Sequence, residues 1–249
     1  NVGYFRRFLP MNHRLVAMVK AHSYGAGDVE VAQLMQRLGI SYLAVAFADE
    51  GVALRSKGIT MPIVVLNADQ DSFDVMISHD LEPEIYSFQS LDEFRRAVHR
   101  AGREHYPIHI KIDTGMSRLG FSPDDMPRLI ERLQGQNTVI PRSIFSHFAG
   151  SDGSEFDAFT HLQATRFDAA ATALQAAFPH KILRHICNSA GIEHFPEYHL
   201  DMVRLGLGLY GINPRNNNSI NNVLTLKTTI LQIREIKAGE SIGLVGRTG

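Results

Sequence analysis

Short apolar runs alternate with amphipathic stretches along almost the whole chain. Eight runs rich in Val, Ile and Leu lie at 15–20, 42–47, 62–67, 81–87, 107–113, 142–148, 182–188 and 202–206. Continuous apolar runs of this length predict strands covered on both faces. Helical patterns separate them. Residues 29–39 place apolar side chains at i, i+3 and i+4 and close on Gly39, a C-terminal cap signal. The stretches 48–58 and 91–102 close the same way on Gly58 and Gly102, and an Ala-rich helix is expected over 159–178. A helix-like stretch, VGYFRRFL, opens the chain at 2–9.

Eight such units predict a closed α/β (β/α)8 TIM barrel over residues 1–212. An open doubly wound sheet has the same periodicity and stays open as the alternative. An Asn-rich linker follows at 213–222. The pattern then changes: LTLKTTILQIREI (224–236) alternates apolar and polar residues before a KAGES turn. That alternation predicts the start of a C-terminal β domain over 223–249, incomplete in this chain.

Composition narrows the function. Lys plus Arg is 25 and Asp plus Glu is 26, a net charge of −1. Nucleic-acid binding, which favours a basic face, is disfavoured, as is polybasic attachment to a membrane. No apolar run approaches the roughly 20 residues of a membrane helix, and no secretory signal pattern opens the chain. The single cysteine, Cys187, excludes an internal disulfide and a zinc site of several thiolates, so no metal is expected. A cytoplasmic location is the simplest reading, and Cys187 itself reads as a small buried apolar residue. The chain starts at Asn1 without Met and stops in a strand-rich stretch, so it is expected to be part of a longer protein.

Reactive residue types gather at the expected C-terminal strand ends, where barrels of this kind carry their active sites. Lys20 ends the first strand. Lys111, Asp113 and Arg118 lie at and after the fifth, and His147 ends the sixth. His185, Asn188 and Ser189 fall at the end of the seventh, Arg204 and Gly206 at the end of the eighth. Barrels commonly hold phosphate in the last two of these loops. Here those loops offer Asn188-Ser189 and Gly206-Leu207, a hydroxyl and backbone N–H groups. The run GLGLYG (206–211) matches a dinucleotide fingerprint only by spelling, since it opens no βαβ unit. His22, His194 and His199 read as loop residues without a role.

The block AMVKAHSYGAGDVEVA (17–32) resembles the cofactor-lysine motif of the alanine racemases, which depend on pyridoxal 5′-phosphate (PLP). The likeness continues in order through YLAVAFADEGVALR (42–55), HIKIDTGMSRLG (109–120), FSHFAGSD (145–152), HICNSAG (185–191) and DMVRLGLGLYGI (201–212). The wording of several blocks, with LEPEIYS between them, is similar to the subgroup fused to a muramyl-peptide ligase. The resemblance implies interconversion of L- and D-alanine for peptidoglycan synthesis. Lys20 would form the internal aldimine and act as one of two proton-transfer bases, and Tyr24 would donate its hydroxyl to the phosphate. Arg204 would face the pyridine nitrogen, with His185 behind it. Arg118 would bind the substrate carboxylate, and His147 would tune the second base. Lys111 resembles a lysine that is carbamylated in some members; an unmodified Lys111 screened by another anion is the alternative.

The resemblance also implies a homodimer, each site borrowing from its partner a tyrosine that serves as the second base. In a gapless alignment that position is Leu244, and no tyrosine follows Tyr210. A chain lacking that base is expected to bind PLP with little or no racemase activity. Two other functions stay open: a non-catalytic PLP-binding barrel, and a racemase of another amino acid such as serine.

Overall fold

The computed structural model describes residues 1–213, 220–242 and 247–248. All eight expected strands form: β1 (Arg14–Met18), β2 (Tyr42–Val45), β3 (Ile63–Val65), β4 (Glu82–Ile85), β5 (Tyr106–Lys111), β6 (Val139–Phe145), β7 (Leu183–His185) and β8 (Met202–Leu205). They pair in parallel in the order β7-β6-β5-β4-β3-β2-β1-β8. The two ends of that order then meet. The backbone N–H groups of Asp201 and Arg204 donate to the carbonyls of Arg184 and Cys187 at 3.1 and 3.0 Å. These bonds join β8 to β7 and close the barrel, which rules out the open sheet.

The helices fall where the periodicity places them, at Asp28–Arg37, Ala48–Ser56, Phe88–Arg100 and Asp157–Ala176. The opening stretch is helical over Val2–Arg6. Three shorter helices that periodicity did not single out, Phe73–Ser78, Met126–Leu133 and Ser189–His194, complete the ring. Apolar side chains between strands and helices form the main core, with Leu43, Ile63, Phe94, Ile110 and Phe167 almost fully buried.

The strands end earlier than the apolar runs do. Lys20 and His147 lie two residues beyond the ends of β1 and β6 rather than on the strands. Their backbones have left the sheet, which frees them to follow loop geometry. His194 closes a helix rather than lying in a loop, whereas His199 lies in a loop as expected and is buried there. Residues 221–237 contain no helix or strand, where alternation predicted strands. Leu226, Ile230, Leu231 and Ile233 of that segment are exposed, and an amphipathic strand is stable only against a partner face. The short pair Ser241–Ile242 and Arg247–Thr248 is antiparallel.

The barrel lumen is divided. Val16, Met18, Tyr42, Ala44, Val64, Leu183 and Met202 form an apolar cluster. The inward positions of β4 to β8 carry Glu84, His109, Lys111, Ser143, His185 and Arg204, all buried. Branched apolar residues usually fill such a lumen, so a polar half is a departure that needs a chemical reason.

Candidate active site

The loop after β1 is unusual. Lys20 opens it, and Ala21, His22, Ser23 and Tyr24 all take φ between 51° and 56°. Left-handed backbone costs roughly 1–2 kcal/mol per non-glycine residue, so other contacts must hold it. The Ser23 N–H donates to the Val19 carbonyl at 3.0 Å. Glu50 accepts the Ala21 N–H at 2.6 Å. His22 contacts Asp28 at 3.1 Å. The Tyr24 ring packs on Tyr210 with centroids 4.7 Å apart. This tight turn carries Tyr24 back over the barrel mouth, where its ring lies 6.0 Å from Lys20 Nζ.

Lys20 and Tyr24 line a cavity of about 330 Å3 at the C-terminal ends of the strands. Lys111, Arg118, His147 and Arg204 line it from other strand ends, and Asn188, Ser189, Gly206 and Leu207 from the last two loops. Every residue expected in direct contact with cofactor or substrate therefore reaches one site. His185 lies behind Arg204 rather than on the wall: Arg204 Nη1 donates to His185 Nδ1 at 2.9 Å.

The loops expected to take a phosphate present groups that suit an anion. Ser189 Oγ accepts the N–H groups of Gly206 and Gly208 at 3.0 and 3.1 Å, which leaves its own hydrogen to donate. A Cβ added at Gly206 would stand 3.4 Å from Tyr24 Oη and 3.4 Å from Met18 Cγ, so the missing side chain keeps this cradle open. The Asn188 side chain has a different task. Its oxygen caps the helix Ser189–His194 through Gly191 N–H at 2.9 Å, and its amide donates to the Phe148 carbonyl at 3.1 Å. Asn188 thus shapes the loop that presents Ser189.

The Arg118 loop folds around Asp113, whose Oδ1 accepts the N–H groups of Gly115 and Ser117 at 2.9 and 3.1 Å. Gly120, at φ +133°, closes it. A Cβ there would stand 2.5 Å from the Asp113 nitrogen, so only glycine lets the two backbones meet.

Charge dominates the rest. Burial pulls Lys111 down to about 8, with Arg204 and Arg118 adding to the fall and Glu84 opposing it. Burial also pushes Glu84 up, opposed by Lys111, Arg204 and Arg118. His147 is held well below its ordinary value by burial and then by Arg204, Lys111, Arg118 and Lys20. It is neutral, and it accepts from Arg204 Nη2 at Nδ1, 3.3 Å away. Its hydrogen therefore sits on Nε2. Arg204 is lowered by burial to about 10 and stays cationic at neutral pH. Its Nη2 also donates to the carbonyls of Ser146 and Ile186 at 2.6 and 3.0 Å. Cys187 is fully buried, with its thiol pushed up to about 12 by burial, as suits an inert core residue.

Three contributors went unnoticed in the sequence. Glu84, only 3% exposed, faces the cavity as its buried carboxylate. The Phe145 ring stacks on His185 at 4.8 Å and lies 4.4 Å from Lys111 Nζ and 5.3 Å from Arg204 Cζ. It offers a π face to two cations. Gln163, on the long helix, donates to the His147 carbonyl at 3.0 Å and accepts from Ala149 N–H at 2.9 Å. All three sit inside apolar runs or an Ala-rich helix, where periodicity reads them as filler. Glu82 and Glu84, two residues apart in the LEPEIYS run and so on the same face of a strand, were the available signal.

Fold and site together define a closed (β/α)8 barrel whose C-terminal mouth carries a lysine at the exit of β1 beside the Ser189 and Gly206 loops at the exits of the neighbouring strands. Residues 1–214 match the family described as alanine racemase, N-terminal domain, and the chain belongs to that family. It is 36% identical over 249 residues to alanine racemase 1 of Oceanobacillus iheyensis, an alignment that takes in 97% of this chain and 65% of that one. A crystal structure of alanine racemase from Bacillus anthracis with bound L-Ala-P is 27% identical, with a TM-score of 0.83 over 97% of this chain and 64% of that one. The alanine racemase of Clostridium difficile 630 in complex with cycloserine is 30% identical, with a TM-score of 0.82 over 89% and 62%. The chain thus spans just under two thirds of the length of these relatives. Leu244 lies outside the described residues. Among the described residues, no helix is long and apolar enough to cross a membrane.

Proposed function

We propose that this chain is the cofactor-binding barrel of an alanine racemase, a PLP-dependent isomerase acting in the cytoplasm to supply D-alanine for peptidoglycan. The observation that carries the reading is the convergence of Lys20, Tyr24, Ser189, Gly206 and Arg204 on one cavity in a chain of this family. The Lys20 amine would hold the cofactor, and Tyr24, Ser189 and the backbone at Gly206–Leu207 its phosphate. When bound, PLP draws electrons from the α-carbon of an amino acid and makes its α-proton labile.

The residues of the chain do the rest. Arg204 does not give up its proton, so it presents only N–H groups and positive charge to the ring nitrogen. Arg204 would thereby favour an unprotonated ring nitrogen and so would restrain electron withdrawal and side reactions. Lys20 Nζ takes and returns the α-proton on one face. Arg118, at the exposed rim, pairs with the substrate carboxylate. His147 offers its Nε2–H toward the opposite face. Glu84 screens the cations around it and supports an unmodified Lys111. The base for the second face belongs to the partner subunit of a head-to-tail homodimer in this reading, at the position of Leu244 here.

The test is to incubate the chain with PLP and L-alanine in heavy water. Loss of the α-proton signal without D-alanine is expected, together with a borohydride-trapped adduct on Lys20. Neither exchange nor adduct would overturn the proposal. Turnover to D-alanine matching a full-length relative would overturn its one-faced part. L-serine in place of L-alanine is expected to exchange more slowly, and the reverse order would reassign the substrate.

A further inference from the structure

The polar half of the lumen is one continuous hydrogen-bond chain. Beyond Arg204 and His185, His185 Nε2 lies 3.1 Å from Ser143 Oγ. Ser143 Oγ lies 2.6 Å from His109 Nδ1, and His109 Nε2 lies 2.7 Å from Glu82 Oε2. Glu82 is the first residue of β4, on the barrel floor, and its side chain is 14% exposed. The chain thus runs from the cavity wall to the opposite mouth.

Its direction is determined. Arginine only donates, so His185 Nδ1 accepts from Arg204 and the imidazole hydrogen sits on Nε2. Ser143 accepts that hydrogen. Ser143 is fully buried, and its hydroxyl contacts only the two histidines among the described residues. Its own hydrogen must therefore go to His109 Nδ1, since any other choice leaves a buried donor without an acceptor. His109 then carries its hydrogen on Nε2 and donates to Glu82. Every bond points the same way, from the guanidinium to the carboxylate. Because arginine keeps its proton, the chain does not conduct protons and instead acts as a fixed brace.

A bulge builds it. The pairing of β5 with β6 shifts register between Ile108 and His109, skipping Arg142 and setting Ser143 opposite His109. Without that extra residue the inward position would alternate differently and Ser143 would leave the lumen.

We propose that Glu82 is a positioning residue for Arg204, the terminal acceptor of a one-way chain that fixes both buried histidines as Nε2–H forms and so locks the guanidinium facing the cofactor ring. The last clause rests on the proposed function; the chain itself does not.

The experiment is 15N NMR of the histidine-labelled, cofactor-free chain at neutral pH. His109 and His185 are both expected with a protonated Nε2 and a bare Nδ1. A His109 that carries hydrogen on Nδ1, or on both nitrogens, would overturn the proposal. In Glu82→Leu, His109 is expected to lose its single form and the Arg204 guanidinium hydrogens to exchange about tenfold faster. Glu82→Gln keeps an acceptor oxygen and is expected to restore both. Unchanged Arg204 exchange in Glu82→Leu would also overturn the proposal. Should that variant not fold, the wild-type forms and the Gln variant decide. Borohydride trapping on Lys20, read separately, bears on the proposed function alone, so the two failures are distinguishable.

Discussion

The carboxylate of Glu50 accepts the backbone N–H of Ala21 at 2.6 Å, tying the residue after Lys20 to the first turn of the helix Ala48–Ser56. Its other oxygen accepts the N–H groups of Ala46 and Phe47 at 2.6 and 3.2 Å. One side chain thus joins the exit of β2 to the left-handed turn that aims Lys20 and Tyr24. Glu50→Ala strands three backbone donors and is expected to lower stability by about 2 kcal/mol. Urea denaturation gives that loss. Borohydride trapping on Lys20 should slow more than in a variant equally destabilised elsewhere, and equal slowing would deny Glu50 its role in aiming Lys20.

Lys111 is a buried cation held down to about 8. Its folded value lies below the ordinary one, so the unfolded chain binds more protons between about 8 and 10.5 and stability rises with pH through that window. Below it the full penalty of the buried ammonium is present. Lys111→Met is therefore expected to be more stable than the parent chain at pH 7. The gain should shrink as pH rises past 8 and level off near 10.5. Thermal melts across that range check this, and a gain that grows with pH would contradict it.

Glu84 opposes the fall at Lys111 by favouring the ammonium. Removing its charge in Glu84→Gln should lower Lys111 further and leave more free amine, the form that adds carbon dioxide. With 13C-bicarbonate, NMR is expected to show no lysine carbamate in the parent chain and a new carbamate carbon in Glu84→Gln. A strong carbamate signal already present in the parent would mean that Glu84 does not substitute for it.

Gly206→Ala places a methyl 3.4 Å from Tyr24 Oη and Met18 Cγ. That is ordinary contact, so folding should change by less than about 1 kcal/mol. The methyl occupies the cradle, however, and PLP affinity should fall about tenfold, the effect of one lost anion contact. Fluorescence titration with PLP measures this. Undiminished affinity would place the phosphate elsewhere.

Gly120→Ala is the opposite case. The new Cβ would meet the Asp113 nitrogen at 2.5 Å, and backbone is what must move. A loss of about 3 kcal/mol or more is expected, with the Arg118 loop the first region to gain hydrogen exchange. A melt within 2 °C of the parent would show that the loop relaxes freely.

By itself the sequence determined the eight strands, the order of the helices and which strand ends carry chemistry. Those follow from local periodicity and from the rule that barrels present reactive groups at one mouth, so Lys20, Lys111, Arg118, His185 and Arg204 were all legible. Closure was decided by two backbone bonds between β7 and β8, a contact between distant segments that no periodicity encodes. The same holds for the polar lumen. Glu82, Glu84 and Ser143 read as interruptions in apolar runs, and only the register of β4, β5 and β6, bulge included, turns them toward His109 and Lys111. A side chain's type is written in the chain, but the partner that sets its charge and its hydrogen direction is chosen by packing across the barrel.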